Sequence, residues 1–383
     1  MTDFIFKISP NIILGPYTVT RLGQNALEWG SRYMVIMDPI LKETGTAEKI
    51  TVPLAERKIE YFVFDELTQA ADTQTLETIL NLARNSHIHG IIAAGGGKTL
   101  ALAKAACALF NEPHTSYDYI DGGAPTAGTI PLICVPTTIR DSFLFTDRVP
   151  LCDSRSGSAK IIKTQNGICK LVLWDPNLEL TLTDKQSAAM GLETFSMALE
   201  AYLSRKSTFF SDMLIEKALQ LMSYAADGSP TLTVTTPPEV LYTQAGCMAS
   251  LGLASCSAGA STLLSLTINT RYKIPRALVS AILLPYIIED ATTFAAAKLA
   301  KIADIYRITD SNEDTDEKKA LSLAEYIRQR IAKINIPARL KDLSLSIEQL
   351  SLAVEDAGQT DLIDSLQRSM TTDDLFELIK KAY

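Results

Sequence analysis

The stretch Ile91–Lys104, I-I-A-A-G-G-G-K-T-L-A-L-A-K, decides the fold. A short apolar run, Gly90 to Ala94, reads as a buried strand, and the apolar-rich segment after Lys98 reads as a helix, which makes Gly95, Gly96 and Gly97 the turn between them. Three residues without a Cβ let the backbone approach a ligand closely, and the N–H groups that open the next helix point at any anion held there. A phosphate suits such a turn. A tight strand-to-helix connection that binds nothing is the other reading of the same residues.

Working outward, strand and helix patterns alternate. Phe4 to Lys7, Ile12 to Leu14, Tyr33 to Met37 and Tyr61 to Phe64 read as extended, and Val19 to Trp29, Ala47 to Arg57 and Thr73 to Asn85 as helical. Repeated β-α units predict a parallel sheet with helices on both faces and a ligand site at the strand C-termini. A Gly-rich loop, Tyr117 to Gly128, precedes another strand, Pro131 to Val135, which runs into Pro136-Thr137-Thr138. Phe143 to Leu151 and Leu171 to Trp174 also read as extended, and strand signals then nearly stop. From about Thr183 the pattern is helical, with Asp184 expected to cap a helix reaching about Ser204. Later helices are expected from Phe209, around Ala245, from Ala277, from Thr293, from Asp316 and at the end of the chain. The boundary is read at Asp175-Pro176, giving an α/β domain over 1–175 and an α-helical domain over 176–383.

Composition narrows the function classes. The chain has 383 residues, enough for two cores, and its net charge of −8 offers no general attraction for nucleic acid or an anionic membrane. The start, Met1-Thr-Asp-Phe-Ile-Phe-Lys, lacks the layout of a secretory signal, so a cytoplasmic protein is expected. Six cysteines show no C-x-x-C pairing and read as reduced core residues. Val240 to Thr270 carries no charge, but its many Ser, Thr and Gly residues suit a buried helix pair better than a lipid-facing rod. The acidic run Asp310 to Asp316 reads as a solvated connection.

The order of these residues resembles the iron-containing alcohol dehydrogenase family, which includes glycerol dehydrogenase and is related to dehydroquinate synthase. The resemblance runs through Ile12-Ile-Leu-Gly-Pro, Val35-Ile-Met-Asp38, Gly95-Gly-Gly-Lys-Thr-Leu, Pro136-Thr-Thr with Thr146, Lys160 and Asp175-Pro176. It continues through Leu199-Glu-Ala-Tyr202 and Ile274-Pro to Ala281-Ile-Leu-Leu-Pro285. It implies an N-terminal Rossmann-like parallel-sheet domain and a C-terminal helical domain, with a metal and the active site in the cleft between them.

By the same resemblance, Asp38 matches the position that accepts hydrogen bonds from the adenosine ribose and favours NAD over NADP. Gly95, Gly96 and Gly97 match the pyrophosphate loop, Lys98 adds a cation beside it, and Thr137, Thr138, Thr146 and Lys160 match further cofactor-binding segments. Ala101 stands where the family has an aspartate near the nicotinamide. The family's metal ligands, an aspartate and three histidines, fall on Glu193, Met197, Thr262 and Arg276. All three histidines of the chain, His87, His89 and His114, lie in its first half. No iron or zinc is therefore expected, and Arg276 is expected to pair with Glu193 within ~4 Å in the ion's place.

Other constellations say less. His87-Ile-His89 reads as a strand entry, and Ser142 has no histidine in the helical half to form a hydrolase triad. Arg140, Asp141 and Arg148 are candidates to line the cleft. Three readings follow: a non-catalytic nucleotide-binding or assembly protein, a metal-independent NAD-linked oxidoreductase acting on a small alcohol, polyol or aldehyde, and, with least support, a metal-dependent alcohol or glycerol dehydrogenase. Related proteins form dimers or larger rings, so a homo-oligomer is expected, with Phe4 to Lys7 as a strand able to pair between subunits.

Overall fold

The computed structural model describes residues 8–228, 236–308 and 314–383; the expected strand Phe4 to Lys7 and most of the acidic run Asp310 to Asp316 lie outside them. The chain forms two compact units that meet in sequence between Leu182 and Thr183.

The first unit is α/β. Its strands are β1 (Asn11–Leu14), β2 (Arg32–Met37), β3 (Glu60–Phe64), β4 (Gly90–Gly95), β5 (Leu132–Pro136), β6 (Arg148–Cys152), β7 (Ala159–Lys163) and β8 (Cys169–Trp174). Six of them make one parallel sheet in the order β1-β8-β5-β4-β2-β3. The helices are α1 (Leu22–Ala26), α2 (Ile40–Glu43), α3 (Ala47–Glu56), α4 (Thr73–Asn85), α5 (Gly97–Leu109) and α6 (Ser116–Ile120). Every residue of β4 is buried, as a continuous apolar run in a sheet covered on both faces requires. Alternate residues build one core face: Tyr33, Val35 and Met37, Ile92 and Ala94, Ile133 and Val135, Leu171 and Leu173 pack with Leu22, Ala26, Ile50 and Leu54 of α1 and α3.

Strand order sets the point at which the sheet reverses direction. From β2 the chain moves out to β3, and from β4 it moves the other way to β5, so the C-terminal ends of β2 and β4 diverge side by side. Asp38 follows β2 and Gly95 ends β4.

Three local expectations change. Val19 to Trp29 is a 3-10 turn, Thr18–Arg21, followed by the short α1. Of the extended Phe143 to Leu151 only the part from Arg148 is strand, within β6, and it pairs antiparallel with β7, a strand the pattern did not suggest. The preceding residues turn because Lys104, a cation buried among the apolar residues of α5, collects carbonyls of this segment: its Nζ donates to Phe143 O at 2.9 Å, to Arg148 O at 3.3 Å and to Thr146 O. The compact units also divide at Leu182/Thr183, shortly after the Asp175-Pro176 boundary read in the sequence. Asp175 is fully buried and accepts from Val19 N at 3.2 Å and Asn177 N at 3.0 Å, which fastens the 3-10 turn Pro176–Thr181 to the first unit.

The second unit is helical: α7 (Asp184–Leu203), α8 (Phe209–Asp227), α9 (Pro238–Ala254), α10 (Ala260–Tyr272), α11 (Arg276–Ile305), α12 (Asp316–Lys333), α13 (Ile347–Gly358) and α14 (Thr372–Ala382). Thr183, not Asp184, caps α7, in a reciprocal box with Gln186. The uncharged Val240 to Thr270 stretch supplies α9 and α10. The helix expected from Thr293 is the second part of α11, which breaks at Ala295 (φ −142°, ψ 29°). By length and composition α11 could cross a bilayer, but half of its most apolar window is buried within the protein.

Asp175→Ala strips two backbone donors, one of them fully enclosed, of a charged acceptor. It is expected to lower the unfolding free energy by about 2–4 kcal/mol in urea denaturation.

Candidate functional site

In the α/β unit the glycine turn is crowded from inside. A Cβ on Gly95 would lie 2.5 Å from Thr99 Oγ1 and 3.1 Å from Asp38 Cβ, so the absence of a side chain brings Asp38 against the turn. Asp38 receives Ile40 N at 3.4 Å, and its residue is half-buried. Gly96 precedes α5 with no side-chain cap. A Cβ on Gly97, the first residue of α5, would lie 2.9 Å from Asp141 Oδ2. The close approach at Gly97 is thus used by a carboxylate of the chain itself. Asp141 is buried, and its Oδ1 accepts from Phe143 N at 2.8 Å. Burial holds the Lys104 ammonium below its ordinary pKa, and among nearby charges Asp141 acts most strongly against that shift.

The other candidates divide. Thr137 N donates to Gly95 O at 3.1 Å, and Trp174 Nε1 donates to Thr138 O at 3.0 Å, so both threonines are pinned beside the turn. Thr138 Oγ1 donates to Arg140 O at 3.1 Å. Thr146 donates to Phe143 O at 2.9 Å within the segment held by Lys104. Lys98 does not lean over the turn: its Nζ donates to Thr68 O at 2.8 Å. Lys160 lies on β7, where its charge helps to lower the pKa of Asp121 and Asp153, both held low chiefly by hydrogen bonds from Arg155. Ala101 is buried in α5.

The histidines serve the frame. His89 Nδ1 accepts from Ser31 N at 3.1 Å, His87 turns the chain with φ +49°, and His114 is exposed. Ser142 is buried.

In the helical unit, the four positions implied as metal ligands come from α7, α10 and α11. Glu193 and Met197 lie one turn apart on α7, both nearly inaccessible. Arg276 opens α11, and its Nε stands 3.7 Å from Glu193 Oε1, with side-chain exposures of 19% and 5%. That is an ion pair at a distance beyond a good hydrogen bond. Thr262 is committed elsewhere: its Oγ1 donates to Glu200 Oε2 at 2.6 Å and its N to Glu200 Oε1 at 3.0 Å. Glu200 is buried at the start of α10, where a Cβ on Gly259 would come within 2.6 Å of its Cγ and Cδ. Burial raises the Glu200 pKa, opposed by hydrogen bonds from Thr262 and from the Gly259 and Ser261 amides. Among the described residues no three His, Cys, Asp or Glu side chains gather as a metal-holding group.

Sequence reasoning passed over Lys104 and Glu200 and left Asp141 without a role. Lys104 had a signal, a charge inside the apolar face of a helix. Glu200 stood inside Leu199-Glu-Ala-Tyr202 and served only as a landmark.

Both halves match one family. The description "Iron-containing alcohol dehydrogenase" matches residues 9–176, and "Fe-containing alcohol dehydrogenase family, C-terminal" matches residues 187–383. The chain belongs to the iron-containing alcohol dehydrogenase family. It is similar to the probable alcohol dehydrogenase EutG of Escherichia coli (strain K12), with 24% identity over 88% of this chain and 84% of that one. The alcohol dehydrogenase from Oenococcus oeni has the same fold, with a TM-score of 0.89 at 19% identity over the whole of both chains. So does the NADH-dependent butanol dehydrogenase A of Thermotoga maritima, with a TM-score of 0.85 at 16% identity over 100% of this chain and 99% of that one.

Asp141→Ala removes a negative charge from the first turn of α5. Affinity for ADP-ribose, measured by calorimetry, is expected to rise by about tenfold or more, as relief of like-charge repulsion at a helix N-terminus requires.

Proposed function

We propose that the chain is a family member that no longer performs metal-dependent alcohol chemistry and acts as a non-catalytic nucleotide-binding or assembly protein. The approach of Arg276 to Glu193 within the helical unit carries this reading. A guanidinium stays protonated, has no lone pair to give and repels a divalent ion. A thioether such as Met197 is a poor donor for iron or zinc, and the Thr262 hydroxyl is already given to Glu200. These residues do not fit the ion. The guanidinium supplies a fixed positive charge where the family resemblance puts a bound one.

The dinucleotide fits better at one end than along its length. Asp38 beside Gly95 suits an adenosine ribose with a free 2′-hydroxyl, hence NAD rather than NADP, whereas Asp141 opposes the pyrophosphate at Gly97. Nucleotide binding is retained but weak on this reading. A cytoplasmic homo-oligomer that engages neither nucleic acid nor membrane is part of the same proposal. A metal-independent NAD-linked oxidoreductase is the second reading, favoured by the closeness of Asp38 to the glycine turn; there a protein cation such as Arg276 polarises a carbonyl or holds an anionic substrate.

The test is turnover. Protein produced with iron and zinc supplied is assayed with NAD(H) against small alcohols, polyols and aldehydes, with and without added metal. No turnover in either condition is expected. Metal-dependent turnover would overturn the proposal, and metal-independent turnover would put the second reading in its place.

A further inference from the structure

A cavity of about 250 Å³ opens in the helical unit among α7, α8, α9, α12 and the end of α11. It exceeds the ~150 Å³ of an engineered apolar cavity that takes up benzene. One helix explains why it is separate from the residues already discussed. Ala188, Gly191, Leu192 and Phe195 of α7 follow the i, i+3, i+4, i+7 spacing and line the cavity, whereas Glu193, Met197 and Glu200 form a different stripe of the same helix.

The wall has an apolar part and a donor-rich part. Leu192, Phe195, Met222 and Ile327 supply the first. Tyr242, Tyr306, Tyr326, Arg330 and Lys333 supply the second; no carboxylate lines the space itself, but Asp227 behind the wall pairs with Arg330. The Tyr306 ring is braced edge-on against Phe195, with centroids 5.4 Å apart, and is tilted 60° to Tyr326 at 5.7 Å. Tyr326 is held on both sides: its hydroxyl donates to Asp227 Oδ2 at 2.8 Å and accepts from Arg330 Nε at 2.9 Å. The hydroxyls of Tyr242 and Tyr306 make no hydrogen bond to another described residue. Both residues keep some accessible surface although burial raises their phenol pKa values, as expected of side chains that face an internal space. As neutral phenols they can donate.

Two free phenol donors beside Lys333 and an Arg330 already paired with Asp227, with an aromatic and aliphatic surface opposite, select an acceptor group carried on an apolar body. We propose that this cavity is a binding site for a small monocarboxylate with an apolar body of about the size of a phenyl ring. The carboxylate takes hydrogen bonds from Tyr242 and Tyr306 beside Arg330 and Lys333, and the body lies against Leu192, Phe195 and Met222. The site stands whether or not the chain turns over an alcohol, since none of its residues is among the implied metal or dinucleotide positions.

Titration calorimetry of the full chain with 3-phenylpropionate tests this, with 3-phenylpropan-1-ol as the uncharged analogue and acetate as the headgroup alone. The acid is expected to bind with the alcohol about tenfold or more weaker and acetate not detectable. Ala225→Phe, which fills the space, abolishes binding, and Tyr306→Phe, which keeps the ring and its packing, weakens it by about threefold to tenfold. Absence of binding by the acid at millimolar concentration would overturn the proposal. So would equal binding of acid and alcohol, or undiminished binding by a folded Ala225→Phe chain. If Ala225→Phe does not fold, unchanged affinity in Tyr306→Phe does the same.

Discussion

A charge taken out of water needs an opposite charge or a set of donors close by, and α7 meets that requirement twice on one stripe. Glu193 lies beside Arg276 at the start of α11, and Glu200, two turns on, accepts the first amides and the Thr262 hydroxyl at the start of α10. An arginine at the first position of a helix meets the unfavourable end of the helix dipole, which the neighbouring carboxylate offsets. The same helix therefore anchors two others through buried acids. The region in which the family resemblance places a metal is organised in this chain by ion pairing and helix capping.

The α/β unit uses the same device. Asp72 caps α4 by accepting from Thr75 N at 2.7 Å, Asp175 caps the 3-10 turn after β8, and Asp141 reaches the first turn of α5. The last of these matters for function, because the helix start after a glycine turn is where a phosphate would be held. Glycine at position 97 gives the chain's own carboxylate room there. Lys104, buried in α5, fixes the segment that follows Asp141 through three carbonyls, so the carboxylate is set on a braced loop.

Much of this architecture was legible in the sequence because long-range order followed from local periodicity. Wholly apolar runs such as Tyr33 to Met37 and β4 mark a sheet covered on both faces, and the glycine turn marks the end of β4. The break at Ala295 was anticipated by the separate helix expected from Thr293, whereas the strand β7 was not legible, since it has no composition of its own and depends on its pairing with β6. The tie of the buried Asp175 carboxylate back to Val19, which holds the turn after Pro176 to the first unit, was not legible either. That Asp38 and Thr137 stand beside the glycine turn, and Arg276 beside Glu193, could be read from their order along the chain. What Asp141, Lys104 and Glu200 do could not, because each acts on backbone groups that only the folded chain brings within reach. The Lys98 side chain, next to the turn in sequence, donates to Thr68 O, a partner that order along the chain did not indicate.

The central claim is that a protein cation holds the position of a metal ion. Diffraction from crystals grown with excess zinc, recorded at the zinc absorption edge, addresses it most directly. The account predicts no anomalous peak among Glu193, Met197, Thr262 and Arg276, with the guanidinium in place against the Glu193 carboxylate. An ordered zinc peak bound by Glu193, with Arg276 turned away, would contradict it.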